Sequence, residues 1–177
     1  MKKIILTVFA ASSLLLYSTQ ALALLSVSVG VPLSHTFTGK ESDGTEIKSE
    51  GVSGTFIQVG VPMLPGIGID SYKTKLDDDV TELATMIYNL YYLLPIPIIN
   101  LTLGVGVGST ELQCSTCAAF DKGSASQWYA SFGMPIIPLF DLHLSYRSVS
   151  SKIKSKSGST EHDFGGNVMG LGIGFNF

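Results

Sequence analysis

Charge is what this chain has least of. Asp, Glu, Lys and Arg together make up 14% of its 177 residues, against roughly a quarter in ordinary globular proteins. Long apolar runs are missing as well. Beyond the N-terminus no stretch reaches the ~18 consecutive apolar residues that a transmembrane helix needs. No segment after residue 24 carries a convincing helical period, so helix-built architectures are disfavoured throughout. The formal net charge of −3 gives no basic surface, which makes nucleic acid a poor partner. The two cysteines are Cys114 and Cys117, with no further Cys or His close by at metal-ligand spacing. No metal or other cofactor is expected.

What is present is apolar character without apolar blocks. Hydrophobic residues reach 45% and glycine numbers 19; mean hydropathy is +0.36. An apolar surface spread over alternate positions, rather than gathered into helices, is the signature of strands that meet lipid on one face only. The last stretch is the clearest example. Met169, Leu171, Ile173, Phe175 and Phe177 alternate with Gly170, Gly172, Gly174 and Asn176, a strict period of two ending on an aromatic ring.

The first residues read as an export signal. Met1, Lys2 and Lys3 form a basic start, residues 4–17 an apolar centre, and Ala21-Leu-Ala23 a small-x-small cleavage site. The expected division is a cleaved signal over 1–23 and one domain over 24–177, and an uncleaved anchor is disfavoured by the short apolar run. Losing Lys2 and Lys3 takes the net charge from −3 to −5.

Eight alternating segments follow, near residues 25–33, 54–61, 66–74, 80–92, 99–108, 125–134, 139–149 and from 164 to the end. In the first, Leu25, Val27, Val29, Val31 and Leu33 oppose Ser26, Ser28, Gly30 and Pro32. Pro32 lacks a ladder donor, so pairing is expected to be irregular there. The fourth has two partly apolar faces and is the one most easily mistaken for a helix. The connections alternate in character. Pro62-Met-Leu-Pro65, Pro95-Ile-Pro97 and Pro135-Ile-Ile-Pro138 are short apolar turns, whereas 39–51, 73–79, 109–124 and 150–162 are long and polar. Three short turns and four long loops join eight strands. Each strand is near the ~10 residues of a tilted span, and in lipid such strands must close to leave no free edge. The expected fold is all-β: an eight-stranded antiparallel transmembrane barrel with up-and-down meander order.

These features together resemble the small outer-membrane barrels of the OmpA/OmpX type, over the whole of 24–177. The resemblance implies residence in the bacterial outer membrane, contact with its lipid and lipopolysaccharide, and delivery by periplasmic chaperones to the barrel-assembly machinery. The terminal Phe177 is similar to the signal that this machinery reads. No segment is left over for a peptidoglycan-binding domain. Barrels of this kind act in envelope anchoring, adhesion, evasion of host defence or lipid modification.

An eight-stranded barrel is just wide enough for side chains to fill its interior. The polar inward row of the seventh strand, Asp141, His143, Ser145 and Arg147, is therefore read as part of a lumen network with Asp70, Tyr72, Asn100, Gln127 and Tyr129, and not as an acid–base set. Arg147 is expected to pair with Asp141 or Asp70. Inward glycines at 104, 106, 108, 170, 172 and 174 leave room for large neighbours, and a filled lumen argues against an open pore. Cys114 and Cys117 are read as a local disulfide stapling a loop in an oxidising compartment. Tyr88, Tyr92, Trp128, Tyr146, Phe175 and Phe177 are candidates for the aromatic girdles at the two interfaces. Lys152, Lys154 and Lys156 suit contact with anionic lipopolysaccharide, or a solvated loop. The functional expectation is a monomeric structural or surface-interaction protein, not an enzyme, that meets an unidentified extracellular partner through its loops. Two alternatives stay open: a lipid-modifying enzyme of the lipid A deacylase or acyltransferase type, which needs one of His35, His143 and His162 beside a Ser and an acid at the membrane boundary, and a small-solute channel.

Overall fold

A computed structural model describes residues 25–39, 46–77, 80–96, 99–114, 117, 120–137, 139–156 and 161–176. The signal segment and Phe177 lie outside the described residues. The strands are β1 (Ser26–Phe37), β2 (Ser49–Gly60), β3 (Pro65–Leu76), β4 (Glu82–Ile96), β5 (Ile99–Gln113), β6 (Gly123–Ile137), β7 (Phe140–Lys154), β8 (Glu161–Asp163) and β9 (Gly166–Asn176). Consecutive strands from β1 to β7 pair antiparallel, β7 pairs with β9, and β9 returns to β1. The sheet has no free long edge. The three-residue β8 pairs with Lys152 to Lys154 of β7, just beyond the stretch that β9 covers. Together β8 and β9 make the eighth wall element, interrupted at Phe164 and Gly165.

The period-two pattern sorts side chains in and out as expected. In β3, Ile67 and Ile69 are exposed, while Asp70 and Tyr72 are buried. The ambiguous fourth segment is a strand, with Leu83, Ile87 and Tyr91 buried and Met86, Tyr88, Leu90 and Tyr92 facing out. The outward apolar row of β1 runs from Leu25 to Leu33. At 3.3 Å per residue and the usual ~40° tilt, it covers about 20 Å along the barrel axis, close to the ~25 Å lipid-facing band of such barrels.

Three expectations need correcting. The strands are longer than their apolar outward rows, and they run on into segments read as charged loops. Lys73, Lys75, Lys152 and Lys154 lie on strands. They can do so because the inward row stays apolar or hydroxylated there, with Thr74 and Ile153 fully buried, while the outward row has passed into water. Second, β1 changes phase. Its register against β9 shifts between Pro32 and Ser34, leaving Leu33 as the extra residue of a bulge. The shift lies at the proline where irregular pairing was expected. Past it, His35 rather than Ser34 points inward and is 5% exposed, whereas unbroken alternation from Leu25 would have turned His35 outward. Third, the interior is not wholly polar, as set out below.

Deleting Leu33, the extra residue, should remove the bulge and restore strict alternation while keeping His35 and Phe37 inward. A urea midpoint in detergent micelles close to that of the wild type is the expected result.

Candidate functional site

The candidate site is the lumen, and the stagger of the strands decides which side chains meet there. At the turn end, Asp141 of β7 is 3% exposed. Its Oδ2 accepts from Asn100 Nδ2 of β5 at 2.5 Å and from Asn176 Nδ2 of β9 at 2.7 Å. His143 Nε2 stands 4.0 Å from the same oxygen. A Cβ on Gly174 or Gly133 would run into the His143 ring, so these glycines leave the space it occupies.

The middle of the lumen holds a buried ion pair. Arg147 and Asp70 are 2% and 0% exposed. Arg147 Nε donates to Asp70 Oδ2 at 2.9 Å, and Arg147 Nη1 donates to Ser145 Oγ. Gln127 Nε2 donates to the same Asp70 oxygen at 2.5 Å and to Asn89 Oδ1 at 2.6 Å. Gln58 Nε2 donates to the Tyr129 hydroxyl at 2.7 Å, and Ser28 Oγ donates to Gln58 Oε1 at 2.9 Å. The guanidinium carbon of Arg147 lies 3.6 Å from the Phe56 ring centroid and 5.0 Å from that of Tyr129. Arg147 is thus held by a carboxylate, a hydroxyl and two aromatic faces, which offsets part of the cost of burying its charge.

Above this layer the lumen turns apolar. Phe56, Tyr72, Ile87, Ala125, Val149 and Val168 form one cluster. At the loop end, Leu83, Ile153 and Phe164 form another, with Phe37, Ile47, Leu76, Leu112 and Phe120 packed on it. His35 bridges the two regions, its Nδ1 2.8 Å from Thr74 Oγ1 and its ring 4.3 Å from Phe37.

Of the eight residues expected in the lumen network, Asp70, Asn100, Gln127, Tyr129, Asp141 and Arg147 are buried, but their hydrogen bonds fall into three separate groups, around Asp141, around Asp70 and between Gln58 and Tyr129. His143 adjoins Asp141, and Tyr72 meets the site through its ring, edge-on to Phe56 and His35. Arg147 takes Asp70 as its partner, and Asp141 is held by two amides at the far end of β7. Phe56, Gln58, Asn89 and Tyr91 were not foreseen as members, although the alternation of β2 already set Phe56 and Gln58 on the face opposite Ile57 and Val59. The glycines opposite them carried the other half of that signal. A Cβ on Gly170 would meet Phe56, one on Gly104 would meet Tyr129, and one on Gly66 would meet Tyr91.

Outside, the expected aromatic residues fall at two levels. Trp128 and Tyr146 touch, with centroids 5.8 Å apart, and the next outward residues on their strands are Ser126 and Ser148. Tyr88 pairs with Ile69 and Val107, the last apolar outward residues of β3 and β5. Tyr92 sits opposite Pro65 at the turn end. Phe175 packs on Phe140 there, 4.9 Å between centroids.

Cys114 and Cys117 form a disulfide. It closes a loop of sequence separation 3, for which the chain-entropy relation gives at most about 2 kcal/mol. Because it lies outside the paired strands, Cys114→Ser/Cys117→Ser should leave the urea midpoint of the barrel unchanged. Rim ion pairs, Lys73–Glu82 at 3.1 Å and Lys154–Glu161 at 3.0 Å, are solvent-exposed and contribute little. The neighbouring Lys154 nonetheless holds the Glu161 carboxyl below its usual range.

No family model and no curated protein sequence matches the chain. Solved structures do. Neisserial surface protein A superposes with a TM-score of 0.61 at 12% identity, over 86% of this chain and 97% of that one. The outer membrane protein W of E. coli superposes with a TM-score of 0.55 at 8% identity, over 88% and 98%. At such identities the likeness speaks for the fold. With a closed ring of eight antiparallel wall elements, an apolar exterior and a filled interior, the chain has the fold of the small eight-stranded outer-membrane β-barrels.

Proposed function

We propose that the protein is a monomeric, non-conducting barrel of the bacterial outer membrane that acts at the cell surface through its loop end. The observation that supports this reading is that, among the described residues, buried side chains occupy the lumen at three levels: Asp141 at the turn end, the Asp70–Arg147 pair in the middle, and the Leu83, Ile153 and Phe164 cluster at the loop end. A wall without a passage leaves the polar rim as the surface on which a partner can be recognised. The rim carries charge of both signs on Lys73, Glu82, Glu111, Lys122, Lys154 and Glu161. Lipopolysaccharide is the first neighbour such a rim would meet, and the Lys152, Lys154 and Lys156 run suits its anionic groups. In this reading residues 1–23 direct export, Phe177 serves as the assembly signal, and the aromatic pairs at the two levels of the belt are the interfacial girdles.

The enzymatic alternative asks for a histidine beside a Ser and an acid on the lipid side. His35 and His143 are turned into the lumen, and His162 lies between the Phe120 and Phe164 rings at 5.9 and 6.4 Å. None of the three faces the lipid belt.

Expression in a Gram-negative host tests the proposal. The protein is expected in the outer-membrane fraction, with external protease cutting at the loops and leaving the barrel. Replacing the loops with short turns should abolish any surface binding the wild type confers, and undiminished binding would overturn the loop assignment. Lipid A examined by mass spectrometry should be the same with and without the protein; a change in acylation lost in His162→Ala would favour the enzyme.

A further inference from the structure

We propose that the short turns joining β2 to β3 and β6 to β7 are seated in the bilayer, against the inner-leaflet phospholipid, and do not project into the periplasm. This rests on the membrane reading above and concerns how the turn end of the barrel is solvated.

The first observation is where charge sits. Residues 51–69, 83–110, 123–140 and 164–177 contain no Asp, Glu, Lys or Arg. Asp141, the charged residue nearest the turns, is 3% exposed and faces the lumen. Among the described residues, the outer surface of the turn end carries no charged side chain, whereas the rim at the other end is studded with them.

The second is that the apolar belt does not stop where the strands do. Met63 and Leu64 are 67% and 57% exposed, Ile136 65% and Leu139 49%. These residues continue the outward rows of Val59, Ile67 and Met134 without a polar break. Continuity with a lipid-facing surface identifies the occupant, because water would meet a bare apolar ring at this end.

The third is backbone chemistry. Six of the seven prolines cluster at the turn end of the sequence, Pro62, Pro65, Pro95, Pro97, Pro135 and Pro138; of these Pro62 lies in the turn after β2, and Pro65, Pro95 and Pro135 lie at the adjoining ends of β3, β4 and β6. Each removes an N–H that would otherwise need a partner in lipid. Remaining groups are bonded where they can be: Leu64 N donates to Val61 O, and Asn176 N donates to Leu139 O, both at 3.0 Å.

The fourth is a conformational cost accepted for an apolar side chain. Met63 and Leu139 have φ of 67° and 79°, a left-handed conformation in which glycine, asparagine or aspartate is the ordinary occupant of a turn in water. Keeping a long apolar side chain there has no benefit in water and a clear one in hydrocarbon.

The test places tryptophan probes in the full chain. With Trp128, the sole tryptophan, replaced in Trp128→Phe, single variants Leu64→Trp and Ile136→Trp report on the turns. Val107→Trp reports on the belt and Lys122→Trp on the rim. Each is folded into dilute phosphatidylcholine vesicles and checked for heat-modifiable migration. Brominated phospholipid is expected to quench the two turn probes as strongly as Val107→Trp, with acrylamide quenching several-fold below that of Lys122→Trp. Turn probes open to acrylamide and untouched by brominated lipid would overturn the inference while Val107→Trp upholds the membrane reading. Turn probes shielded from both quenchers would also overturn it, in favour of a second copy of the chain. Loss of lipid quenching at Val107→Trp would sink the membrane reading itself.

Discussion

Arg147→Met is expected to destabilise the folded barrel by about 3–5 kcal/mol, because it leaves the Asp70 carboxylate buried and without its cation. Asp70 is 0% exposed and its Oδ2 receives Arg147 Nε at 2.9 Å; the amide of Gln127 on the same oxygen cannot replace a full charge. Asp70→Leu should be costly for the mirror reason, since it strands a guanidinium between Phe56 and Tyr129. The double variant Asp70→Leu/Arg147→Met should recover most of the loss, because apolar groups of similar volume often replace a buried ion pair at no net cost. Urea unfolding in detergent micelles, followed by tryptophan fluorescence at Trp128, measures all three. Additive losses, or a single-variant effect below about 1 kcal/mol, would mean that water reaches the pair and that the lumen is not packed.

Phe56→Ala carries the second large expectation, also about 3–5 kcal/mol. Its ring fills the hollow over Gly170, stands edge-on to Tyr72 at 6.1 Å, and supports the Arg147 guanidinium at 3.6 Å. Removing it opens a void in the middle of the wall and takes away one of the two aromatic faces against which Arg147 is held. Phe56→Leu should cost clearly less, since it keeps most of the volume and loses mainly the cation–π contact, about 1–2 kcal/mol. The same unfolding measurement separates the two, and equal losses for Ala and Leu would assign the effect to the aromatic face alone.

The barrel was legible because its signal is distributed. Alternation in β9 and β5, proline-framed turns and polar loops each point to one wall element and one direction of travel, and closure follows from the absence of water in lipid. Length was less legible. A strand was read as ending where its outward row became charged, as at Lys73 and Lys152, yet the inward row kept Thr74 and Ile153 packed and the ladder continued. The bulge at Leu33 was foreshadowed by Pro32, but its consequence, the inward turn of His35, depends on a register that local sequence does not encode.

The lumen was half legible for a related reason. Inward rows are readable strand by strand, whereas partners are not. Arg147 and Asp70 are 77 residues apart and meet through the stagger of the wall, and nothing local to β7 favours Asp70 over Asp141. The apolar cluster at the loop end was hidden because Leu83, Ile153 and Phe164 sit in segments whose neighbours are polar. In β4, whose faces were both partly apolar, the inward set of Leu83, Ile87 and Tyr91 became clear only once β3 and β5 fixed its orientation.

A membrane-spanning wall that encloses no water-filled passage is tested most directly by electrical recording of the purified protein in planar lipid bilayers. Insertion confirmed by heat-modifiable migration, with no resolved conductance steps over a range of applied potential, is the predicted result. Regular open-channel steps from the wild-type protein would contradict the packed lumen and the non-conducting function built on it.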